Sequence, residues 1–114
     1  MTGDRRGLEF VYTPVFLASA RGLLDDEALR HVEITLLVDP RTGDVVPGAG
    51  GIRKLRAALP GRGKRGGALV IYLDLEIRGT IYFLLAYAKN AQVGLTAAEK
   101  KTLRGLVKQL EEGP

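Results

Sequence analysis

Six basic residues, Arg53, Lys54, Arg56, Arg62, Lys64 and Arg65, fall between Val45 and Leu73 with no acid among them. That stretch carries +6 in a chain of net charge +4, so everything outside it sums to −2. An uninterrupted cationic run in a glycine-rich frame, between two β-patterned stretches, reads as a surface for a polyanion rather than as an ordinary solvated face. The chemistry open to these residues is narrow. Cysteine is absent and His31 is the only histidine, which argues against thiolate catalysis, zinc sites and any two-histidine nuclease. Carboxylates are scattered, so a two-metal nuclease site is not expected and no cofactor is called for. Ser19, the only serine, falls within an expected helix, and no Ser-His-Asp arrangement is credible. A phosphodiester cut by this chain must therefore rely on Lys and Arg, with Tyr as a further candidate and no metal. In RNA the 2′-hydroxyl can attack the adjacent phosphate, leaving a cyclic phosphate and a 5′-hydroxyl. The protein then has to orient the groups, stabilise the phosphorane and assist proton transfer. Arginine stays charged and suits the phosphate. A lysine crowded by other cations has a depressed pKa and can serve as a base.

Literal motifs add little. Gly61-Arg-Gly-Lys-Arg-Gly66 spells GxGxxG, but it leads into a strand instead of opening a helix, so it is not a dinucleotide fingerprint. No phosphate-binding GxxxxGK[ST] occurs. His31 is expected as a half-exposed helix residue.

The elements that must position these side chains are legible in outline. Leu8–Thr13 alternates as a short strand. Thr13-Pro14 has the pattern of an N-cap and first helical turn, for a helix stopping at Gly22. Asp25-Asp26-Glu27 opens a second helix with Ala28, Leu29, Val32 and Leu36 on one face, ended by Asp39-Pro40. A turn at Arg41–Asp44, a short Val45-Val46 piece and the loop Pro47–Gly51 precede a strand over Gly51–Ala57. Pro60–Gly67 is a basic loop. A strand is predicted over Ala68–Ile77, with Leu69, Ile71, Leu73, Leu75 and Ile77 on one face. Arg78-Gly79 then makes a hairpin to Thr80–Ala88, which is apolar on both faces like a strand covered on both sides. Thr96-Ala-Ala-Glu99 is a capping box, followed by Leu103, Leu106, Val107 and Leu110 at helical spacing and by Lys100, Lys101, Arg104 and Lys108 opposite them. The expectation is one α+β domain spanning residues 1–114, with two N-terminal helices and a C-terminal helix packed on a small antiparallel sheet.

The chain has 114 residues, is 46% hydrophobic and 26% charged, and has seven aromatics with no Trp. Its longest apolar run, Ile81–Ala88, is less than half the ~20 residues a membrane span needs. The charged start, Met1–Gly7, gives no signal peptide, so a cytoplasmic protein is expected. So few aromatics argue against extensive base stacking.

Four separated blocks, in order, carry a family resemblance: Gly43–Arg56, Gly61–Gly67, Tyr87-Ala-Lys-Asn90 and Leu95–Lys100. Together they resemble the RelE/HigB toxins of bacterial type II toxin–antitoxin modules, the HigB-like branch above all. The resemblance implies a RelE-like fold and a ribosome-dependent mRNA endonuclease that cuts in the A site without metal. It further implies restraint by a cognate antitoxin, a HigA-like helix-turn-helix protein. Carried over, Lys54 and Arg56 match the basic strand facing RNA, Lys64 with Arg62 and Arg65 the basic loop, and Lys89 with Asn90 the block that supplies a phosphate-side cation. Arg53, Lys100 and Arg104 are candidates for contact with the RNA backbone, or are simply solubilising. Two positions depart from the pattern. Leu69 stands where the family has an arginine expected to stabilise the scissile phosphate, and Ala91 stands where it has glutamate. Two other readings thus stay open: an attenuated scaffold acting by binding antitoxin or ribosome, and a gyrase-directed toxin of the ParE type.

Overall fold

The computed structural model describes residues 8–58, 67–92 and 94–113. In chain order they form β1 (Glu9–Tyr12), α1 (Pro14–Ala20), α2 (Asp26–Val38), β2 (Asp44–Val45), β3 (Arg53–Ala57), β4 (Ala68–Leu75), β5 (Thr80–Ala88) and α3 (Ala97–Glu112). The expected α+β class and its three helices are present. Two caps form at the expected residues: Thr13 Oγ1 accepts the Phe16 N–H, and Thr96 with Glu99 closes a reciprocal capping box; at the start of α2, Asp25 Oδ1 also accepts the Ala28 N–H.

One sheet runs β1-β5-β4-β3-β2. It is mixed rather than purely antiparallel, because β1 lies parallel to β5, with Glu9 beside Thr80 and Tyr12 beside Phe83. The reason is topological. β3, β4 and β5 alternate in direction, so β5 returns in the direction of β3. The two-helix connection brings the chain from β1 at one edge of the sheet to β2 at the opposite edge, leaving β1 free to flank β5. A second correction concerns the end of β4. The strand stops at Leu75, and Glu76–Arg78 form a 3₁₀ turn closed by the Gly79 N–H on the Glu76 carbonyl. Ile77, expected on the apolar face, is 88% exposed as a result.

The sheet separates two cores. On one side Phe16, Val32, Leu36, Val70, Tyr72, Ile81 and Phe83 pack under α1 and α2. Tyr12 stacks on Phe83 with ring centroids 4.9 Å apart, and Phe16 meets Phe83 at 5.2 Å. On the other side Leu103 and Val107 of α3 join Ile52, Ile71, Leu73, Leu84 and Tyr87. Alternation along β5 breaks once. The register passes from Ile71 opposite Leu85 to Tyr72 opposite Phe83, leaving Leu84 as the extra residue of a bulge. Both Leu84 and Leu85 therefore face α3. Beyond the end of β1, α1 finishes the edge of β5: Thr13 Oγ1 donates to the Phe83 carbonyl, and Ser19 Oγ accepts the Ala86 N–H at 2.9 Å. No helix among the described residues is long and apolar enough to cross a membrane.

Candidate functional site

Strand alternation divides the basic residues of β3 between the two faces of the sheet. Arg53, Leu55 and Ala57 point to the α1–α2 side, where Leu55 and Ala57 join the core. Lys54 and Arg56 point to the α3 side and are exposed. On that side the register draws a straight row across three strands: Arg56 lies opposite Leu69, and Leu69 lies opposite Tyr87. Lys54, opposite Ile71, occupies the neighbouring row.

A shallow cavity of about 150 Å³ opens there, lined by Val46, Pro47, Lys54, Tyr87, Gly94, Leu95 and Lys100. It brings together a cation from β3, a phenol from β5 and a cation from the first turn of α3. Burial, and then the carboxylate of Glu99, push the Tyr87 phenol above its ordinary pKa, so at neutral pH it is a protonated hydroxyl able to donate a hydrogen bond. Glu99 is itself fixed. Its Oε1 accepts the Thr96 N–H at 2.9 Å and the Gln92 amide at 3.2 Å, while Gln92 also donates to the Gly94 carbonyl at 2.7 Å. This lattice ties Gln92 and Gly94 to the start of α3, and Gly94 is one wall of the cavity.

Arg56 and the start of the Lys89-Asn90 block meet at one end of the sheet. The Lys89 N–H donates to the Gly67 carbonyl at 2.8 Å. A Cβ on Gly67 would stand 3.0 Å from the Ala57 carbonyl oxygen and 3.1 Å from Nε of Arg56. Glycine there leaves the guanidinium room against the β4 backbone. Lys89 and Asn90 are both exposed in the turn that follows β5.

Other candidates lie elsewhere. Arg53 is a clasp: its Nη1 donates to the carbonyls of Gly43 at 2.7 Å and Arg41 at 3.1 Å, on the face away from Lys54. It helps Tyr72 hold the turn after α2, the Tyr72 hydroxyl donating to the Pro40 carbonyl and accepting the Gly43 N–H. Arg104 sits on the outer flank of α3 and donates to the Gly48 carbonyl at 2.7 Å. Arg62, Lys64 and Arg65 lie outside the described residues. His31 is exposed on α2. No group of three or more His, Asp or Glu able to hold a metal occurs among the described residues. Tyr87 belongs to the Tyr87–Asn90 block, yet nothing local in the sequence marks it as a site residue. Only the pairing of β5 with β4, and α3 folded over both, reveals its place between Lys54 and Lys100.

No protein-family model matches the chain. Among solved structures its fold is similar to that of the Escherichia coli toxin RelE, determined in the free state as a double arginine-to-alanine mutant. The TM-score is 0.58 at 14% sequence identity, over 84% of this chain and 96% of that one. At that identity the likeness is one of fold, and the fold is RelE-like.

Proposed function

We propose that this chain is the toxin of a type II toxin–antitoxin module, a metal-independent endoribonuclease that cuts mRNA in the ribosomal A site. The observation that carries the reading is the cavity in which Lys54, Tyr87 and Lys100 converge, with Arg56 one row away, on a RelE-like scaffold. In this mechanism the scissile phosphate lies over the cavity mouth. Arg56 and Lys89 hold its non-bridging oxygens and stabilise the charge that grows on them as the 2′-hydroxyl attacks. Lys54 or Lys100 takes the 2′-hydroxyl proton, and the Tyr87 phenol passes its proton to the leaving 5′-oxygen. The products are a 2′,3′-cyclic phosphate and a free 5′-hydroxyl. The ribosome presents the message in a single geometry, which supplies the orientation that so open a site does not supply by itself. The partner that restrains the toxin is a cognate antitoxin, HigA-like and of the helix-turn-helix class by the family resemblance of the sequence.

The end chemistry tests this reading. Message cut on programmed ribosomes should accept a phosphate from polynucleotide kinase at its new 5′ end without prior phosphatase treatment. Ends already carrying a 5′-phosphate would point to a different hydrolysis.

One observation favours a second reading. Leu69, between Arg56 and Tyr87, is partly buried against the α3-side core, so the row lacks the central cation of the family pattern. A binding scaffold without catalysis is the alternative, and it predicts no cut ends at all.

A further inference from the structure

We infer that the outer flank of α3 is a second nucleic-acid site, one that grips the phosphate backbone of paired RNA independently of the cutting cavity. Lys101, Arg104 and Lys108 project along one side of the helix and line, with Gly50, Val107 and Glu111, a groove of about 610 Å³. They follow one another at three and four residues, or about 4.5 and 6 Å along the axis at 1.5 Å per residue. That is near the separation of neighbouring phosphates on one strand. Arg104 is not a free tether, because its hydrogen bond to the Gly48 carbonyl holds it in place along the groove. The opposite wall is bare backbone. Gly50 has φ +82° and would bring a Cβ to 3.4 Å from Val107, so a side chain is disfavoured there both by conformation and by space. Glu111, the one acid among the described residues of the groove, comes last along the helix.

The composition of the groove selects the ligand. Its apolar member, Val107, is 2% exposed, and no aromatic among the described residues lines it. A protein partner would want an aromatic or aliphatic anchor in a desolvated pocket, and an unpaired strand would want rings on which to stack its bases. Cations and bare backbone alone suit a duplex, whose bases face one another and which offers phosphates to sequence-independent contact.

The test is fluorescence anisotropy with two probes, a fully paired RNA hairpin and an unstructured oligouridine, across a potassium chloride series. Lys101→Gln/Lys108→Gln should lower the hairpin's salt slope by about 1.8, at roughly 0.9 per phosphate contact on a duplex, and leave oligouridine binding unchanged. Lys54→Gln should weaken oligouridine and spare the hairpin. Both variants change exposed side chains, and their melting curves should overlay the wild type. An unaltered hairpin slope in the double variant would overturn the inference. So would equal losses of both probes in both variants, which would mean one undivided positive field. Polyglutamate of matched charge binding as tightly as the hairpin, with the same loss in the double variant, would assign the flank to an acidic protein segment instead. The readout is independent of cleavage: a chain that cuts nothing can still hold the hairpin through α3, and loss of this site alone leaves the proposed cutting chemistry untouched.

Discussion

Leu69 lies directly opposite Tyr87 across the β4–β5 ladder, and its partner on the other side, across β3–β4, is Arg56. All three side chains are on the α3 face, so residue 69 is the centre of a row whose ends are a guanidinium and a phenol. An arginine at 69 would set its charge between them, beside the proposed position of the scissile phosphate. Leu69→Arg is expected to raise ribosome-dependent cleavage by about 10²–10³, the usual worth of one donor aimed at developing charge. Single-turnover rates on programmed ribosomes measure it. A rate that stays flat while the variant melts like the wild type would remove the row from the mechanism.

Tyr87 packs in the α3-side core and lines the cavity at the same time. Tyr87→Phe keeps the ring and discards the hydroxyl, so it separates the two roles. Cleavage should fall by about 10² or more, in the range of a lost proton-transfer partner, with the melting temperature little changed. If the two fall together, the residue is structural.

Local signals are the readable ones. Thr13 and the Thr96/Glu99 box announce two helix starts, each capped as the pattern predicts, and the acids Asp25-Asp26-Glu27 announce the third. Alternation along β3 puts Lys54 and Arg53 on opposite faces. Summed charge does not: it groups as one RNA-facing set residues that the strand period separates, and Arg53 in fact clasps the turn after α2. The parallel β1–β5 pair has no local signature, since strand direction follows from the route of the whole chain. Nor does the place of Tyr87, which depends on a register set across three strands and on a helix ten residues further along. Glu76-Ile77 reads as the end of a strand because apolar alternation continues through Ile77, while the backbone hydrogen bond from Gly79 to Glu76 turns the chain first.

Ser19, uninformative as a nucleophile, has a clear structural use. Its hydroxyl accepts the Ala86 N–H where β1 has ended, and it donates to the Phe16 carbonyl. Ser19→Ala leaves that N–H without its acceptor and should cost about 1–3 kcal/mol. For a domain near this size that is a fall of some 4–8 °C in Tm per kcal/mol, read by circular dichroism melting. An unchanged Tm would mean that solvent or a local shift replaces the contact.

Asp74 gives stability a pH dependence of unusual sign. Burial first, then the neighbouring Glu76, raise its carboxyl above the ordinary aspartate range, against a smaller opposing pull from Arg41 and Arg53. The folded chain therefore binds this proton more tightly than the unfolded chain. The stability it contributes is complete below the unfolded pKa of about 3.9 and is lost as pH rises through the folded value. Asp74→Asn should raise Tm at pH 7, and the gain should shrink toward zero near pH 3. A variant less stable than wild type at pH 7 would show that attraction to Arg41 and Arg53 outweighs burial.

Lys54 is central to the proposed cleavage, because among the described residues of the cationic run it both faces α3 and lines the cavity. The measurement is primer extension on a defined message held in programmed 70S ribosomes, with wild type and Lys54→Met side by side and the same message free in solution. The predicted result is discrete cuts within the A-site codon by the wild type, at least 10²-fold fewer by Lys54→Met, and none on free message. Equal cutting by the two proteins, or cutting of free message as readily as bound, would contradict it.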